Sequence, residues 1–133
     1  MLRLELLSRY GRCRQMLNEA MDYWLYMAES TGTLWENLLT TASCNHGFAS
    51  HVCHALYRDV LGLREVDTVH KRLALRFSDL PLTWCRGRIP TPDGPVLLSW
   101  RKENGTLAYR VEMPAGYAMK VDNPVGLSLE RRP

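Results

Sequence analysis

The N-terminal part of the chain has apolar residues with helical spacing. An apolar segment from Leu2 to Tyr10 is interrupted by Gly11, and a longer one begins at Arg12. In the longer segment the apolar residues follow one helical face: Cys13, Met16, Leu17, Ala20, Met21, Trp24, Met27 and Ala28. Gly32 can adopt the left-handed conformation that ends helices. The pattern predicts two consecutive helices followed by a loop.

A third helix is predicted between Gly47 and Leu61. Apolar residues recur there every four positions: Phe48, Val52, Leu56 and Val60. The opposite face is polar and carries His51, His54 and Arg58. The sequence LGL at positions 61–63 is a natural stop, because glycine commonly ends helices. Residues 1–62 are therefore expected to form a helical region.

After about residue 67 the apolar period changes to two, which predicts β-strands. The alternating stretches are RLALRF, LTWCRGRI, VLLSWRK, LAYRVEM, YAMKV and VGLSL. Turn signals occur at TPDG, positions 91–94, and at Glu103-Asn104-Gly105. We therefore predict an α+β chain in which helices are followed by a small antiparallel β-sandwich. The predicted domains are residues 1–62 and 63–133.

Composition excludes several function classes. The 133 residues carry a formal net charge of +3, with basic and acidic residues scattered along the chain, which argues against a nucleic-acid partner. No apolar run approaches the roughly 20 residues that span a bilayer, which argues against a membrane role. The N-terminus lacks the features of a secretory signal. The four cysteines fit free thiols better than a disulfide framework, so a cytoplasmic location is favoured over a periplasmic one.

Two cysteines and three histidines lie in SCNHGFASHVCHAL, residues 43–56. On a helix His51 and His54 share one face, whereas Cys53 points away from them, so we do not predict a zinc site. The expected arrangement is a buried structural Cys53 with two half-exposed histidines. His46, at the start of the helix, remains a candidate ligand-binding residue. A small metal-binding protein is the less favoured alternative.

Glu36 follows Trp35 in the loop between the second and third helices. A carboxylate beside a large aromatic ring is common in sugar-binding sites. The competing interpretation places Trp35 in the core and Glu36 at the surface without a function. No glycine-rich phosphate loop, serine elbow or Cys/His pair with an orienting acid is present in the sequence.

The order of these features resembles the C-terminal end of bacterial alpha-L-rhamnosidases, in which a catalytic barrel of helical hairpins precedes a small β-sandwich. The resemblance covers nearly the entire chain. Its most specific pieces are Thr33-Leu34-Trp35-Glu36, Ser43-x-Asn45-His46-Gly47, Val60-Leu61-Gly62-Leu63, and Gly87-x-Ile89-Pro90-Thr91-Pro92-x-Gly94 followed by Trp100. It implies that residues 1–62 form the C-terminal helical part of an (α/α)6 barrel of the six-hairpin type.

The resemblance also implies roles for three residues in the hydrolysis of terminal alpha-L-rhamnosyl groups with inversion. Glu36 would be the general base, and Trp35 and His46 would bind the rhamnose. No cofactor or metal is expected. In the family the acid-side carboxylates lie upstream in the barrel, and no segment of this sequence corresponds to that region. Since inverting glycosidases need both carboxyl groups, the 133-residue chain by itself is expected to be inactive.

An alternative function is a noncatalytic carbohydrate-binding or scaffolding sandwich. Exposed aromatic residues on one flat face would favour it, with Trp84, Trp100 and Tyr109 as candidates. The isolated chain is also expected to self-associate, because helices meant for neighbouring hairpins keep apolar faces uncovered. The residues expected to remain partly uncovered are Met16, Met21, Trp24 and Met27.

Overall fold

The structure, a computed structural model, describes residues 2–39 and 41–133. It is an α+β fold, as predicted, and it divides into two compact units, Met1–Leu56 and Tyr57–Pro133. The first unit contains helices and one long loop, and the second contains two β-sheets. No helix in the described ranges is long and apolar enough to cross a membrane.

The helices of the first unit begin and end close to the predicted positions. They are α1 (Leu2–Arg9), α2 (Cys13–Ala20), a π-helical turn (Met21–Leu25), α3 (Tyr26–Thr31), a 3-10 turn (Gly47–Ser50) and α4 (His51–Ala55). Gly11 and Gly32 have φ angles of 68° and 72°, which L-residues adopt only with strain. Both glycines therefore end helices, as their positions in the sequence predicted.

The π-helical turn changes which side chains the second helical segment buries. A π-turn adds residues to the helical period and rotates the face that follows it. Met16 and Met27 are completely buried, so the expectation that they remain uncovered was wrong. Met21, by contrast, is 50% exposed and Ala28 is exposed, although both belong to the predicted apolar face.

The second unit begins within a π-helical turn, Leu56–Leu61, and continues as seven strands. The strands are β1 (Leu63–Asp67), β2 (Arg72–Arg76), β3 (Trp84–Ile89), β4 (Val96–Glu103), β5 (Thr106–Glu112), β6 (Ala118–Asp122) and β7 (Ser128–Arg131). One sheet has three strands in the order β1-β2-β6, and the other has four in the order β3-β4-β5-β7.

The prediction of a purely antiparallel sandwich was wrong in two pairings. β6 runs parallel to β2, and β7 runs parallel to β5. Both parallel pairs join strands that are distant in sequence, which hairpin signals cannot reveal. Strand β1 was also missing from the predicted strands, since LREVD has little β-propensity and contains a register irregularity between Leu63 and Glu65.

One hydrophobic core joins the two sheets of the second unit. Its buried members are Leu61, Leu63, Leu73, Leu75, Phe77, Val96, Leu98, Trp100, Leu107, Tyr109 and Tyr117. Because they come from both sheets, the arrangement is sandwich-like. The Asn104-Gly105 turn between β4 and β5 has positive φ at both residues, 49° and 79°, which is the hairpin geometry predicted for it.

Candidate functional site

The loop between α3 and the 3-10 turn contains all three predicted site residues. Two backbone hydrogen bonds close it: the N–H of Glu36 donates to the carbonyl of Ser43 at 2.9 Å, and the N–H of His46 donates to the carbonyl of Leu34 at 2.8 Å. The hydroxyl of Thr33 adds a bond to the carbonyl of Cys44. The Trp35-Glu36 segment therefore lies beside the segment that ends in His46.

The indole of Trp35 is fixed against α3. Its Nε1–H donates to the hydroxyl of Thr31 at 2.7 Å, and its backbone N–H points at the sulfur of Met27 at 3.3 Å. The ring meets Tyr26 edge to face, with 5.7 Å between ring centroids. Trp35 is half-buried, so part of the ring faces solvent in a fixed orientation. It is neither a fully buried core residue nor a free surface side chain.

Glu36 extends from this anchored position into solvent. Its side chain is exposed, and its carboxylate makes no hydrogen bond or ion pair with any residue in the described ranges. Both carboxylate oxygens are therefore available to accept hydrogen bonds from a water molecule or a sugar hydroxyl.

His46 links the loop to the helix that follows. Its backbone is extended (φ −126°) and its carbonyl accepts the N–H of Ala49 at 3.1 Å. The imidazole packs edge to face on Phe48, with 4.6 Å between centroids, and is half-buried. Among the described residues neither ring nitrogen has a hydrogen-bond partner, so both can bind a ligand hydroxyl.

Ser43 and Asn45 shape the backbone just before His46. The hydroxyl of Ser43 donates to the carbonyl of Asn45 at 3.1 Å, which closes a short turn. This turn gives the Ser43-x-Asn45-His46 motif a local structural role beside any contact with a ligand.

The other histidines and cysteines are arranged differently. The rings of His51 and His54 lie 5.6 Å apart on one face, as predicted, and His51 Nε2 is 2.8 Å from a carboxylate oxygen of Glu5. Cys53 is exposed, so the prediction that it is buried was wrong. Across residues 2–39 and 41–133, no three metal-binding side chains come together, and the cysteines are free thiols.

The helical period explains the error for Cys53. α4 is a single regular turn between a 3-10 turn and a π-turn, so the chain there does not keep the 3.6-residue period assumed in the prediction. Phe48 and Leu56, also assigned to the apolar face, are half exposed, whereas Val52 and Val60 are buried.

Two further groups of residues carry chemistry that the sequence did not single out. Asp59 is buried between Arg58, whose Nη2 lies at 2.8 Å, and Arg64, at 3.4 Å. A basic groove also lies on the outer face of the four-stranded sheet and contains Trp84. The sequence named Trp84 as a candidate exposed aromatic, and Trp84 is exposed; the arginines of the groove were signalled only by their alternation in WCRGR. Trp100 and Tyr109, the other candidate exposed aromatics, are buried in the core.

Comparisons with known proteins agree with this architecture. Residues 62–130 match the family described as the bacterial alpha-L-rhamnosidase C-terminal domain. An alpha-L-rhamnosidase of Formosa agariphila is 24% identical over 122 residues, which cover 82% of this chain and 13% of that protein. A solved GH78 family rhamnosidase of Bacillus sp. GL1 has a TM-score of 0.82 and 26% identity over 96% of this chain and 15% of its own.

All three matches are to parts of alpha-L-rhamnosidases, which are glycoside hydrolases. The chain is a member of the bacterial alpha-L-rhamnosidase C-terminal domain family, which confirms the resemblance found in the sequence. It spans about an eighth of the length of the rhamnosidases it matches.

Proposed function

We propose that this chain supplies the general-base side of an alpha-L-rhamnosidase active site. In this proposal Glu36 deprotonates the water that attacks a terminal alpha-L-rhamnosyl group, and the reaction inverts the anomeric configuration. The observation that carries the proposal is the backbone pairing of Leu34 with His46 and of Glu36 with Ser43. This pairing holds a carboxylate, an indole and an imidazole in one loop.

The surroundings of Glu36 suit a general base. A base must lie within hydrogen-bonding reach of its water, and a neighbouring cation would weaken it as a base by stabilising its ionised form. Glu36 is accessible, and its carboxylate is not paired with any described residue. Its backbone is nevertheless fixed, because its N–H is bonded to Ser43 and the adjacent indole is anchored on Thr31.

Trp35 and His46 are proposed to bind the sugar. The fixed face of the Trp35 indole can pack on the apolar side of a pyranose ring. His46, whose ring is oriented by Phe48, can exchange hydrogen bonds with sugar hydroxyls through its two nitrogens. These contacts would place the anomeric carbon relative to the water held by Glu36.

The complete reaction needs a second carboxyl group. An inverting glycosidase places its acid about 6.5–9.5 Å from its base to leave room for the water. We propose that the acid lies on helical hairpins outside this chain and that α1 to α4 are part of the same (α/α)6 barrel. The 133-residue chain alone should then show no turnover of an aryl alpha-L-rhamnoside, even at high protein concentration.

A chimera tests the assignment of Glu36. Residues 1–133 would replace the matching segment of the Bacillus sp. GL1 rhamnosidase, whose structure the chain matches over 96% of its length. Glu36→Gln in an active chimera should lower kcat by about 100-fold or more, because the water is no longer deprotonated. The matched control is Glu29→Gln, which removes another exposed carboxylate of the same unit and should leave kcat unchanged.

Azide rescue makes the test specific for a base. A Glu36→Gly chimera acting on an activated aryl rhamnoside should regain turnover with azide, since an anion in the vacated space needs no deprotonation. The product should be the glycosyl azide of inverted configuration. Near-normal turnover of Glu36→Gln would remove the base assignment. A glycosyl azide of retained configuration would show that the reaction is not inverting.

A further inference from the structure

The outer face of the four-stranded sheet has an ordered pattern of large and small residues. Strand pairing aligns Trp84, Arg101 and Ala108 in one row across β3, β4 and β5. The next row contains Arg86, Ser99 and Arg110. Since directly paired residues and residues two apart lie on the same face of a sheet, all six side chains face outward.

These rows form a groove. The small side chains of Ser99 and Ala108 leave a floor between four long ones, and the open space above them measures about 590 Å³. Trp84 stands at one end and is 59% exposed, so much of its ring surface is available for contact. The groove lies entirely within the second unit.

Some charged side chains in and around the groove form ion pairs, and others do not. At the rim, Arg132 binds Glu103 at 2.6 Å and Glu130 at 3.6 Å. Within the groove, Arg86 and Arg101 form no ion pair with any residue that the structure describes. The groove therefore offers two guanidinium groups to an external anion beside an exposed aromatic ring.

We propose that this groove binds an anionic glycan, a sugar chain whose rings carry carboxylate or sulfate groups. A guanidinium fork can bind either anion through two parallel hydrogen bonds, which matches the chemistry of Arg86 and Arg101. Trp84 offers the flat apolar surface on which a sugar ring packs. The site is distinct from the loop that contains Glu36 and binds without catalysing a reaction.

Acidic residues at the rim of the groove favour a glycan ligand over a nucleic acid. A polynucleotide carries a negative charge on every residue and needs a continuous basic track. Here Glu103, Glu112 and Glu130 border the arginines, and Glu112 lies 3.3 Å from Arg110. This boundary would repel a polyanion of uniform charge. It fits a polymer whose charged groups are separated by neutral ring surface.

Binding can be measured on the 133-residue chain by titration calorimetry with three defined oligosaccharides. They are an oligouronate in which uronate and neutral residues alternate, the same oligosaccharide with its carboxyl groups reduced to alcohols, and a neutral oligosaccharide that carries a sulfate on every second residue. The oligouronate or the sulfated compound should bind, and the reduced compound should bind at least about tenfold more weakly because the ion pairs are lost. Which of the two anionic compounds binds identifies the anionic group.

Substitutions of groove residues, compared with a control substitution outside the groove, test whether the ligand binds there. Arg86→Gln and Arg101→Gln should each weaken binding of the anionic compound by about tenfold. Arg88→Gln is the control, because Arg88 is exposed on the same face of β3 and does not line the groove; its effect should stay within about twofold. Trp84→Ala should weaken anionic and reduced compounds alike. Far-UV circular dichroism of each variant checks that the fold is retained.

Several outcomes would overturn the proposal. One is equal binding of the oligouronate and its reduced form, which would remove the role of the arginines. Another is an Arg88→Gln effect as large as that of Arg101→Gln, which would indicate nonspecific attraction. Binding of single-stranded DNA with higher affinity than any glycan would assign the groove to nucleic acid. Loss of turnover in the Glu36 chimera bears on none of these, so the two proposals fail independently.

Discussion

The indole Nε1–H of Trp100 donates a 3.0 Å hydrogen bond to the backbone carbonyl of Leu61, and both residues are buried. Leu61 is the last residue of a π-helical turn, where carbonyl groups lack partners within the helix. Gly62 then turns the chain with a φ of 94°, a conformation that strains other residues. The side chain of a strand residue thus supplies the hydrogen-bond donor for the last carbonyl of a helical turn that lies 39 positions earlier in the sequence.

Trp100→Phe should destabilise the β unit by about 1–3 kcal/mol, because it leaves the Leu61 carbonyl buried without a donor. The midpoint of urea unfolding, followed by far-UV circular dichroism, measures the change. Trp84→Phe is the control and should cost less than about 0.5 kcal/mol, since Trp84 is on the surface. Equal midpoints for Trp100→Phe and the wild type would show that the hydrogen bond has no net effect on stability.

Gly87→Ala should also destabilise the sandwich. A Cβ atom at position 87 would lie 2.5 Å from Cδ2 of Leu61 and 3.3 Å from the ring of Tyr57. Since Leu61 is buried, it has little room to move, and overpacking of this kind costs about 1–3 kcal/mol. In a Leu61→Val background the same substitution should cost less. Equal costs in both backgrounds would contradict a clash between the two side chains.

The turn between β1 and β2 gives the stability of the sandwich a pH dependence. The pKa of Asp67 is held well below its usual range, first by the backbone N–H of His70, which donates to it at 2.9 Å. The His70 ring and Arg72 contribute further hydrogen bonds to the same carboxylate. A carboxyl group whose pKa is lowered by folding stabilises the folded state while it is ionised.

For Asp67 this stabilisation is fully present above the unfolded pKa of about 3.9 and is lost as the pH falls towards the folded value. Asp67→Asn keeps an oxygen that can accept the backbone N–H and removes the charge. The difference in unfolding free energy between wild type and Asp67→Asn should therefore be largest above about pH 5 and shrink below about pH 4. Urea titrations at several pH values measure it, and a difference that stays constant would exclude the ionised carboxylate as its source.

Self-association of the isolated chain remains a prediction, and the structure changes the surface that would mediate it. Leu2, Leu6 and Tyr10 follow one stripe of α1 and its end, and all three are exposed. We expect a second copy to cover this stripe. Sedimentation at tens of micromolar should detect dimers, and Leu6→Gln with Tyr10→Ser should reduce them. Val69→Gln, which changes an isolated exposed residue, is the control. A monomeric wild type would contradict the prediction.

Features encoded locally were predictable from the sequence, and features that depend on distant contacts were not. Gly11, Gly32 and the Asn104-Gly105 turn are set by the φ angles their residues can adopt, so their positions were correct. The parallel strands β6 and β7 depend on neighbours 46 and 22 residues away along the chain, which no local pattern reports. Cys53 was assigned the wrong exposure because the 3-10 and π-turns that flank α4 alter the helical phase. Met16 and Met27 were expected to need neighbouring hairpins as cover, but residues of this chain bury them.

The same distinction between local and distant contacts applies to the candidate sites. Trp35, Glu36 and His46 were predicted from short motifs, and one loop brings their backbones together. A single sequence indicates residue types and their order, whereas a role in catalysis depends on the distances between side chains and substrate. The basic groove was missed because its residues come from three strands, and only their register places Arg101 beside Trp84.

The parallel pairing of β2 with β6 has a consequence for how the sandwich folds. Arg76 at the end of β2 binds Asp122 at the end of β6, and the whole β3-β4-β5 meander lies between them in the chain. A pairing over so long a separation must offset a large loop-closure entropy before it stabilises anything. The meander, whose contacts are local, should thus form early and bring the ends of that loop together. Refolding kinetics of β2 variants should then show faster unfolding with little change in the folding rate.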